Sequence, residues 1–272
     1  MIDRAPIRTR ADRCPGVLRP WPADDGLLVR LRLAGGLLPA GSLRPLLDLA
    51  AAYGDGDVHV TGRANLQVRG IARVSEEVVG AIEAAGLLPS RSHELVRNLM
   101  TSPQTGLAGG RADLRPVVAE LDRQLCADPA LAELPGRFLF VLDDGRGDLL
   151  GRPTDLGLVA LDDAYVQLRV GPGWGPVVPL GEAPAALLEL ARLFLATRTT
   201  QWHVTELDRP LVPPERPRPG VPEAAEPLPY GAVPGGEHVA APRGLLDPAL
   251  ADRDGDLVVT PWRGVLVPEA AR

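Results

Sequence analysis

The sequence contains no lysine, so all 29 of its basic residues are arginine. This absence excludes every mechanism that depends on a lysine amine, such as a Schiff base or an ammonium proton donor. The chain has 35 acidic residues and a formal charge of −6 at pH 7, and no run of basic residues interrupts this balance. Binding to nucleic acid is therefore not expected.

Cysteine is also scarce. Cys14 and Cys126 are the only thiols in 272 residues, so the chain cannot by itself supply four thiolates to an iron–sulfur cluster. The histidines show no spacing typical of a zinc site. No apolar run reaches the ~20 residues that a membrane helix needs, and no secretory leader is recognised. These absences predict a cytoplasmic protein that has no membrane partner and no metal site of its own. The four histidines are His59, His93, His203 and His238.

The most informative segment that is present runs from Asp57 to Ile71, where polar residues alternate with apolar or small ones. Period-two alternation predicts a strand, or a strand pair around a tight turn, with one face buried. The other face carries guanidinium, amide and hydroxyl groups, which suit an anionic ligand with several carboxylates or phosphates. A polar sheet face in contact with water gives the same pattern, so both interpretations stay open. The polar positions are His59, Thr61, Arg63, Asn65, Gln67 and Arg69.

The first part of the chain alternates between strand and helix patterns. Ser42 is expected to cap the first helix, and Gly54 is expected to end it in the left-handed conformation. The order strand, helix, strand pair, helix is most of a split βαβ, ferredoxin-like unit. The elements are a strand at 26–33, a helix at 43–53, a strand pair at 58–71 and a helix that Ser75 opens and Gly86 closes.

The central part of the chain predicts a mixed α+β domain, and a proline-rich extended linker follows it. Its predicted elements are a loop at 97–110, a helix at 114–125, strands at 137–143, 156–161 and 164–170, a helix at 187–196 and a strand at 201–207. The predicted domains are an N-terminal segment with the first half-domain at 1–88, the central domain at 89–208, the linker at 209–227 and a short second half-domain at 228–272.

A short repeat links the two ends of the chain. Asp57-Val-His-Val-Thr61 matches Asp256-Leu-Val-Val-Thr260, and each copy follows an Asp/Gly-rich turn and precedes an arginine and an apolar strand. We interpret this as an internal duplication. The match is short, so chance remains the alternative at this point.

Six motifs in order resemble the nitrite/sulfite reductase family, and within it the precorrin-3B synthases of cobalamin biosynthesis. The resemblance implies an α+β fold with two ferredoxin-like half-domains, related by pseudo-two-fold symmetry, around a central α+β layer like a sirohaem domain. It also implies an oxidoreductase of the monooxygenase type that acts on a tetrapyrrole, with sirohaem and a [4Fe–4S] cluster as the family's cofactors. The motifs are Cys14-Pro-Gly-Val-Leu-Arg-Pro20, Asp25-Gly-Leu-Leu-Val-Arg30, Thr61-Gly-Arg-Ala-Asn-Leu-Gln-Val-Arg-Gly70, Arg97-Asn98 with Ser102-Pro103 and Gly106, Leu134-Pro-Gly-Arg-Phe138 before Asp143-Asp-Gly145, and Thr260-Pro-Trp-Arg263.

The resemblance also implies a set of tetrapyrrole-binding residues. Arg63 and Arg97 would grip the carboxylates of the macrocycle. Asn65, Gln67 and Asn98 would be neighbouring polar contacts. Arg69 and Arg137 are candidates for the same role, but each could equally lie in a surface ion pair. The resemblance identifies no catalytic residue and no metal ligand.

Two departures from the family pattern leave the activity open. The family places cationic residues around Arg137-Phe138-Leu139, whereas Leu139 is apolar and arginine is a poor proton donor because its pKa stays above ~12. The family's cluster cysteines follow the second Thr-x-x-Arg motif, and none does so here. Three hypotheses result: an oxidoreductase whose cluster-bearing part is lost or lies on a partner chain, a non-catalytic tetrapyrrole-binding protein, and an interaction module without a pocket.

Overall fold

The computed structural model describes residues 12–269. Its helices are α1 (Leu43–Tyr53), α2 (Glu76–Ala84), α3 (Arg115–Ala127) and α4 (Ala183–Thr197). Its strands are β1 (Trp21–Ala23), β2 (Gly26–Leu31), β3 (Leu37–Leu38), β4 (Val58–Val60), β5 (Leu66–Ile71), β6 (Leu99–Thr101), β7 (Phe140–Asp143), β8 (Leu156–Ala160), β9 (Tyr165–Val170), β10 (Gly173–Pro179), β11 (Gly231–Val233), β12 (Gly236–Ala240), β13 (Leu257–Thr260) and β14 (Gly264–Pro268). Across these residues no helix is both long and apolar enough to cross a membrane.

The first sheet is antiparallel, with the strand order β1-β2-β5-β4; α1 packs against it, and α2 packs against α1 and joins the same core. The buried residues of α1 recur at the spacing of one helical face, so this face joins the apolar face of the sheet. Ser75 caps α2 as predicted, because its hydroxyl accepts the N–H of Val78 at 3.4 Å. The ferredoxin-like half-domain expected from the sequence is confirmed.

Two details of α1 differ from the prediction. The hydroxyl of Ser42 donates to the carbonyl of Ala85 at 2.7 Å instead of capping the helix. Gly54 is extended, with φ −116°, where a left-handed residue was expected. Both residues serve tertiary contacts: Ser42 joins α1 to the end of α2, and a Cβ on Gly54 would lie 2.7 Å from the carbonyl oxygen of Arg69.

The C-terminal sheet repeats the first one. Its antiparallel order β11-β12-β14-β13 reproduces β1-β2-β5-β4 strand for strand. The turns also match: Ala64 and Arg263 occupy equivalent positions after the two threonines and have φ values of 56° and 59°. Residues other than glycine rarely adopt a positive φ, so its occurrence at the same position in both copies supports internal duplication over chance. The second copy is shorter, since the 3₁₀ turn Pro248–Asp252 stands where the first copy has α1.

The two copies exchange short segments. Strand β3 of the first copy joins the second sheet, where Leu37 pairs with Val258. In return, Leu245 of the second copy forms a bridge with His59 on β4. These are equivalent positions in the two copies, so the exchange obeys the same pseudo-two-fold symmetry. A single hydrophobic core, running from Val17 to Val267, is consequently shared by both half-domains.

The central domain has a five-stranded mixed sheet with the order β10-β9-β8-β7-β6. Strands β6, β7 and β8 are parallel, and β9 and β10 are antiparallel. Helices α3 and α4 cover one face, and three phenylalanine rings pack together beneath them. The opposite face carries a small apolar cluster, which Trp262 of the second half-domain covers: Met100, Leu139, Val141 and Leu149.

The proline-rich segment 209–227 is extended, as its composition predicts, but it is docked on the central sheet. We call it the strap. The fully buried amide of Gln167 on β9 donates to the carbonyl of Arg216 at 2.9 Å and accepts the N–H of Arg218 at 2.8 Å. Ala225 then donates to the carbonyl of Gly147 at 3.0 Å. The strap therefore follows a fixed path to the second half-domain.

Two further predictions are wrong in part. The segment 97–110 was expected to be a loop, but its residues Leu99–Thr101 form β6, the edge strand of the central sheet. The segment 201–207 was expected to be a strand, but it contains a 3₁₀ turn at Val204–Glu206. A three-residue strand is too short to show periodicity, and Val204 packs beside the β9–β10 turn at Gly171 without joining the sheet.

Candidate anion-binding site

Arg63 lies in the five-residue turn that joins β4 to β5. The hydroxyl of Thr61 shapes this turn by accepting the N–H groups of Arg63 at 3.3 Å and Asn65 at 3.1 Å. The side chain of Arg63 crosses to the central domain, where Nη1 donates to the carbonyl of Arg137 at 3.1 Å. Burial lowers the pKa of Arg63, because desolvation disfavours the charged form.

Arg30 reaches the same region from β2. The strand register places Arg30 opposite Gln67. With the Gln67 amide oriented as its neighbours require, its oxygen accepts from Nε of Arg30 at 2.9 Å and from Nη2 at 2.6 Å. Burial lowers the pKa of Arg30, and the nearby charge of Arg63 lowers it further. Two cations are thus held close together in a partly dry environment.

Arg137 adds a third guanidinium from the loop before β7. This side chain is exposed and lies 5.7 Å from the ring centre of Trp202, within the range of a cation–π contact. The positive charge of Arg137 also contributes to the lowered pKa of Arg63. We refer to Arg30, Arg63 and Arg137 as the guanidinium cluster. Its members come from three separate segments and two domains.

The position of Trp202 is set by a buried carboxylate. Asp155, at 1% exposure, accepts the N–H of Leu139 at 2.9 Å and the N–H of Val204 at 3.0 Å. These bonds tie the start of β7 to the turn that carries Trp202. Burial raises the pKa of Asp155 to about 7. The imidazole of His203 lies 3.5 Å from the same carboxylate, and burial lowers the pKa of His203.

The guanidinium cluster is distinguished by the closeness of its members, because the charge of Arg63 acts on Arg30 and the charge of Arg137 acts on Arg63. Within residues 12–269, none of its three members forms an ion pair with a carboxylate. Their polar partners are a carbonyl and an amide, which neutralise no charge. Burial and mutual repulsion therefore oppose these charges, and among the described residues the charge of Asp155 offsets them only in part at Arg63, so a bound anion would relieve both. The arrangement is suited to carboxylate or phosphate groups.

Arg97 is held differently. Its Nε and Nη2 atoms form a bidentate ion pair with Asp122 on α3, at 2.7 and 2.6 Å, and Nη1 donates to the carbonyl of Arg32. Burial opposes the charge of Arg97, but the Asp122 bonds outweigh it, and the pKa of Arg97 is raised. The structure therefore does not bring Arg97 into the guanidinium cluster, and Arg63 does not line the cavity that Arg97 borders.

The remaining predicted residues fall into two groups. Asn98 and Asn65 are buried and hydrogen-bonded within the fold: Asn98 accepts from Arg32 and donates to the carbonyl of Gly136, and the Asn65 oxygen accepts the N–H of Leu33. Arg69 lies in a surface ion pair with Asp25 at 2.9 Å. Of the predicted residues, Arg63, Gln67 and Arg137 are the ones that come together.

Sequence reasoning missed Arg30 and Trp202. The signal for Arg30 was present, because antiparallel pairing of 26–33 with 66–71 places it beside Gln67. Trp202 could not have been found in this way, since the turn that carries it is far from Arg137 in sequence and is positioned by the buried Asp155.

The comparisons with known proteins agree with this architecture. Residues 22–85 match the model of the nitrite/sulfite reductase ferredoxin-like half domain. This segment of the chain is therefore a ferredoxin-like half domain of the nitrite/sulfite reductase type. A ferredoxin–nitrite reductase from Leptolyngbya laminosa is 32% identical over 55% of this chain, and a precorrin-3B synthase from Sinorhizobium sp is 29% identical over 63% of it. These matches cover 31% and 36% of the two relatives, so the chain spans about a third of their length.

The fold extends further than the sequence similarity. The structure of the Mycobacterium tuberculosis NirA protein superposes with a TM-score of 0.69 over 95% of this chain and 57% of that protein, at 18% sequence identity. This likeness includes both half-domains and the central domain, and it confirms the fold class. The enzymes that the chain resembles are oxidoreductases.

Proposed function

We propose that this protein is the tetrapyrrole-binding part of a precorrin-3B synthase-like oxidoreductase, and that Arg30, Arg63 and Arg137 bind the macrocycle's carboxylates. The observation that carries the proposal is the convergence of three guanidinium groups that have no carboxylate partner within residues 12–269. A tetrapyrrole with several acidic side chains offers partners in the required number, and each charge-assisted bond is geometrically specific.

The apolar environment of Leu139 favours a tetrapyrrole substrate over an inorganic oxyanion. Leu139 is buried beside Val141 and Leu149, and Trp262 packs against the same cluster. Reduction of nitrite or sulfite consumes several protons, and the arginines of the guanidinium cluster are poor proton donors. Precorrin-3B synthase is the activity of one of the similar proteins, and it is consistent with carboxylate binding by these arginines.

The two family cofactors fit this chain unequally. The carboxylates of sirohaem fit the guanidinium cluster, and the iron of such a group would supply electron transfer when bound. A [4Fe–4S] cluster does not fit, because it needs four thiolates and the sequence has two. Cys14 and Cys126 are partly buried in different places, and residues 12–269 contain no group of three His, Cys, Asp or Glu side chains suited to a metal. Catalysis through a cluster would need a further polypeptide segment or a partner chain.

A non-catalytic tetrapyrrole-binding protein is the second candidate. The two separate cysteines favour it, since the carboxylate contacts are present and the ligands of a redox centre are not found in the sequence. Both candidates predict binding of the macrocycle. Only the first predicts that addition of a cluster-bearing partner produces an iron–sulfur absorption spectrum and turnover of a precorrin.

The binding proposal is tested by titrating the purified chain with sirohaem and with a metal-free carboxylated tetrapyrrole, followed by absorption. Arg63→Ala should weaken binding by about tenfold or more, because a charge-assisted hydrogen bond contributes roughly 1.5–3 kcal/mol. Arg69→Ala is the matched control, since Arg69 lies on β5, the strand that follows the Arg63 turn, and forms a surface ion pair with Asp25. Equal affinities for the parent and both variants would contradict the proposed site.

A further inference from the structure

A second concave site lies on the other side of Arg32. Its volume is about 870 Å³, within the range of roughly 300–1,000 Å³ that small-molecule sites occupy. One wall is the face of α3 that carries Val118 and Ala119, and another is the segment that carries Leu33 and Leu37. We call it the α3 cavity. The guanidinium cluster does not line it.

The interior of the α3 cavity is mainly apolar and is poor in available polar groups. The floor carries Arg97 and Asp122, which neutralise each other in their bidentate ion pair. The hydroxyl groups of Thr101 and Thr105 donate to the carbonyls of Leu142 and Ala112. A ligand here would therefore meet apolar side chains in the interior. Leu37 is 45% exposed at the edge of this space, so an apolar contact surface is open to a ligand.

The rim of the cavity is charged asymmetrically. Arg115 and Arg123 stand on α3, with 55% and 66% of their side chains exposed. They are eight residues apart, so they lie about 12 Å apart along the helix axis. Their ion-pair partners, Asp113 and Glu120, are exposed neighbours in sequence. Such surface pairs are weak and exchange readily for another anion.

The opposite rim is acidic, with Asp254, Asp256 and Glu269. Asp256 is partly engaged, since its carboxylate accepts the N–H of Ala40 at 2.8 Å. An anionic group would be repelled from this side and attracted to α3. The charge distribution therefore favours an amphipathic ligand that is an anion, and it directs the charged group of that ligand toward α3.

We propose that the α3 cavity binds an amphipathic organic anion, with its apolar body among Leu33, Leu37 and Val118 and its acidic group at the α3 rim, between Arg115 and Arg123. This site is separate from the tetrapyrrole site proposed above and does not depend on it. Occupation would bridge the first half-domain, the central domain and the second half-domain, because all three contribute to the lining.

The probe for the test is 8-anilinonaphthalene-1-sulfonate, which combines a fused aromatic body with one sulfonate. Fluorescence titration of the full chain should show saturable binding to one site. Ala119→Trp places a large ring on an exposed position of the cavity wall and should abolish saturable binding. Ala52→Trp, on an exposed position of α1, is the matched control and should bind as the parent does.

The role of charge is tested by Arg115→Ala and Arg123→Ala. Each should weaken binding of the probe by about three- to fivefold, the range for one exposed ionic contact. Arg192→Ala is the control, because Arg192 forms a similar exposed ion pair on α4. Circular dichroism checks that each variant is folded.

Three outcomes would overturn the proposal: non-saturable binding, saturable binding that survives Ala119→Trp, and losses at Arg115 or Arg123 no larger than the loss at Arg192. If Arg63→Ala weakened binding of the probe and Ala119→Trp did not, the probe would be assigned to the guanidinium cluster, and the α3 cavity would be rejected as its site.

Discussion

The fold contains two kinds of buried arginine, structural and ligand-binding, and the number of partners within the chain distinguishes them. Arg32 is 3% exposed, and its guanidinium donates to the Asn98 oxygen and to three backbone carbonyls, so its hydrogen bonds join the N-terminal segment to the central domain. Burial lowers its pKa to about 10, which leaves it charged at neutral pH. Arg63 is held by a single carbonyl. We therefore expect substitutions of the two residues to affect different properties.

Arg97 provides the sharpest test of this distinction. Arg97→Met should lower the free energy of unfolding by about 2–4 kcal/mol, because it leaves the Asp122 carboxylate and the Arg32 carbonyl without their donor. Tetrapyrrole affinity should change much less than in Arg63→Ala. Urea denaturation measures the first quantity, and absorption titration measures the second.

The control for this variant is Arg123→Met, which removes an exposed ion pair on the same helix and should cost less than about 1 kcal/mol. A large loss of tetrapyrrole affinity in Arg97→Met, at unchanged stability, would instead support the role that the family resemblance implied for Arg97.

The carboxyl of Asp148 should make stability depend on pH. Burial raises its pKa from 3.8 to about 7, and the Ser102 hydroxyl donates to it at 2.7 Å. Between these two values the folded state binds more protons than the unfolded state. The stability contributed by the protonated group is therefore present below pH 4 and is lost as pH rises to about 7.

Replacement of this group by a neutral amide should flatten the dependence. In Asp148→Asn, the decrease in the free energy of unfolding between pH 5 and 8 should be smaller than in the parent, because the Ser102 contact persists without a titrating proton. Denaturation at several pH values measures the decrease. The slope that remains in the variant includes Asp155, whose pKa is raised in the same direction. An unchanged slope would argue against a raised pKa at Asp148.

At the scale of single elements, periodicity was a good guide where an element was long. Helices α3 and α4 and strands β8 and β9 lie within a few residues of their predicted positions. The alternation from 58 to 70 was misleading at one point, because the turn between β4 and β5 interrupts it. Asn65 belongs to that turn and is 2% exposed, so it does not share the polar face with Gln67.

The strap has little secondary structure of its own, and hydrogen bonds to Gln167 hold it on the central sheet. Gln167→Leu would remove one acceptor and two donor contacts at a fully buried site, leaving the strap's backbone groups near 216 and 218 without partners. Each unsatisfied group costs roughly 1–3 kcal/mol. We expect the strap to detach locally and the glutamate-specific protease Glu-C to cut after Glu215 sooner than in the parent; trypsin is unsuitable because Arg216 and Arg218 each precede a proline.

Limited proteolysis with mass spectrometry measures this change. Gln124→Leu is the control, because that side chain contacts only Glu120 on the surface of α3. Equal cleavage rates at Glu215 in both variants would show that the prolines of the strap, rather than Gln167, hold it in place.

For the whole molecule, the exchange between half-domains should make them fold as one unit. Gly36 lies at their contact with φ 77°, and a Cβ at this position would lie 2.3 Å from the carbonyl oxygen of Val259. Gly41 has a similar φ of 78° with open space around it. Alanine at either position therefore has the same backbone strain from a positive φ. Only at Gly36 does the added Cβ also clash with a neighbouring atom.

Gly36→Ala should lower the free energy of unfolding more than Gly41→Ala, by about 1–3 kcal/mol, the cost of inserting a methyl group into a tightly packed contact. Chemical denaturation of both variants gives the difference. Hydrogen exchange should also show that Leu246 and the β5 amides lose protection together in Gly36→Ala. Equal destabilisation of the two variants would mean that the half-domains are not tightly joined at this point.

The sequence by itself determined the fold class and the ferredoxin-like half-domain, pointed to the duplication and made Arg63 a candidate, because these depend on local periodicity and on motifs in a fixed order. Only the tertiary structure decided which arginines meet. Arg30 and Arg137 join Arg63, while Arg97 turns to Asp122. The sequence shows that a residue is arginine, but its role depends on how many of its guanidinium donors find partners within the chain, and only the packing of distant segments settles that.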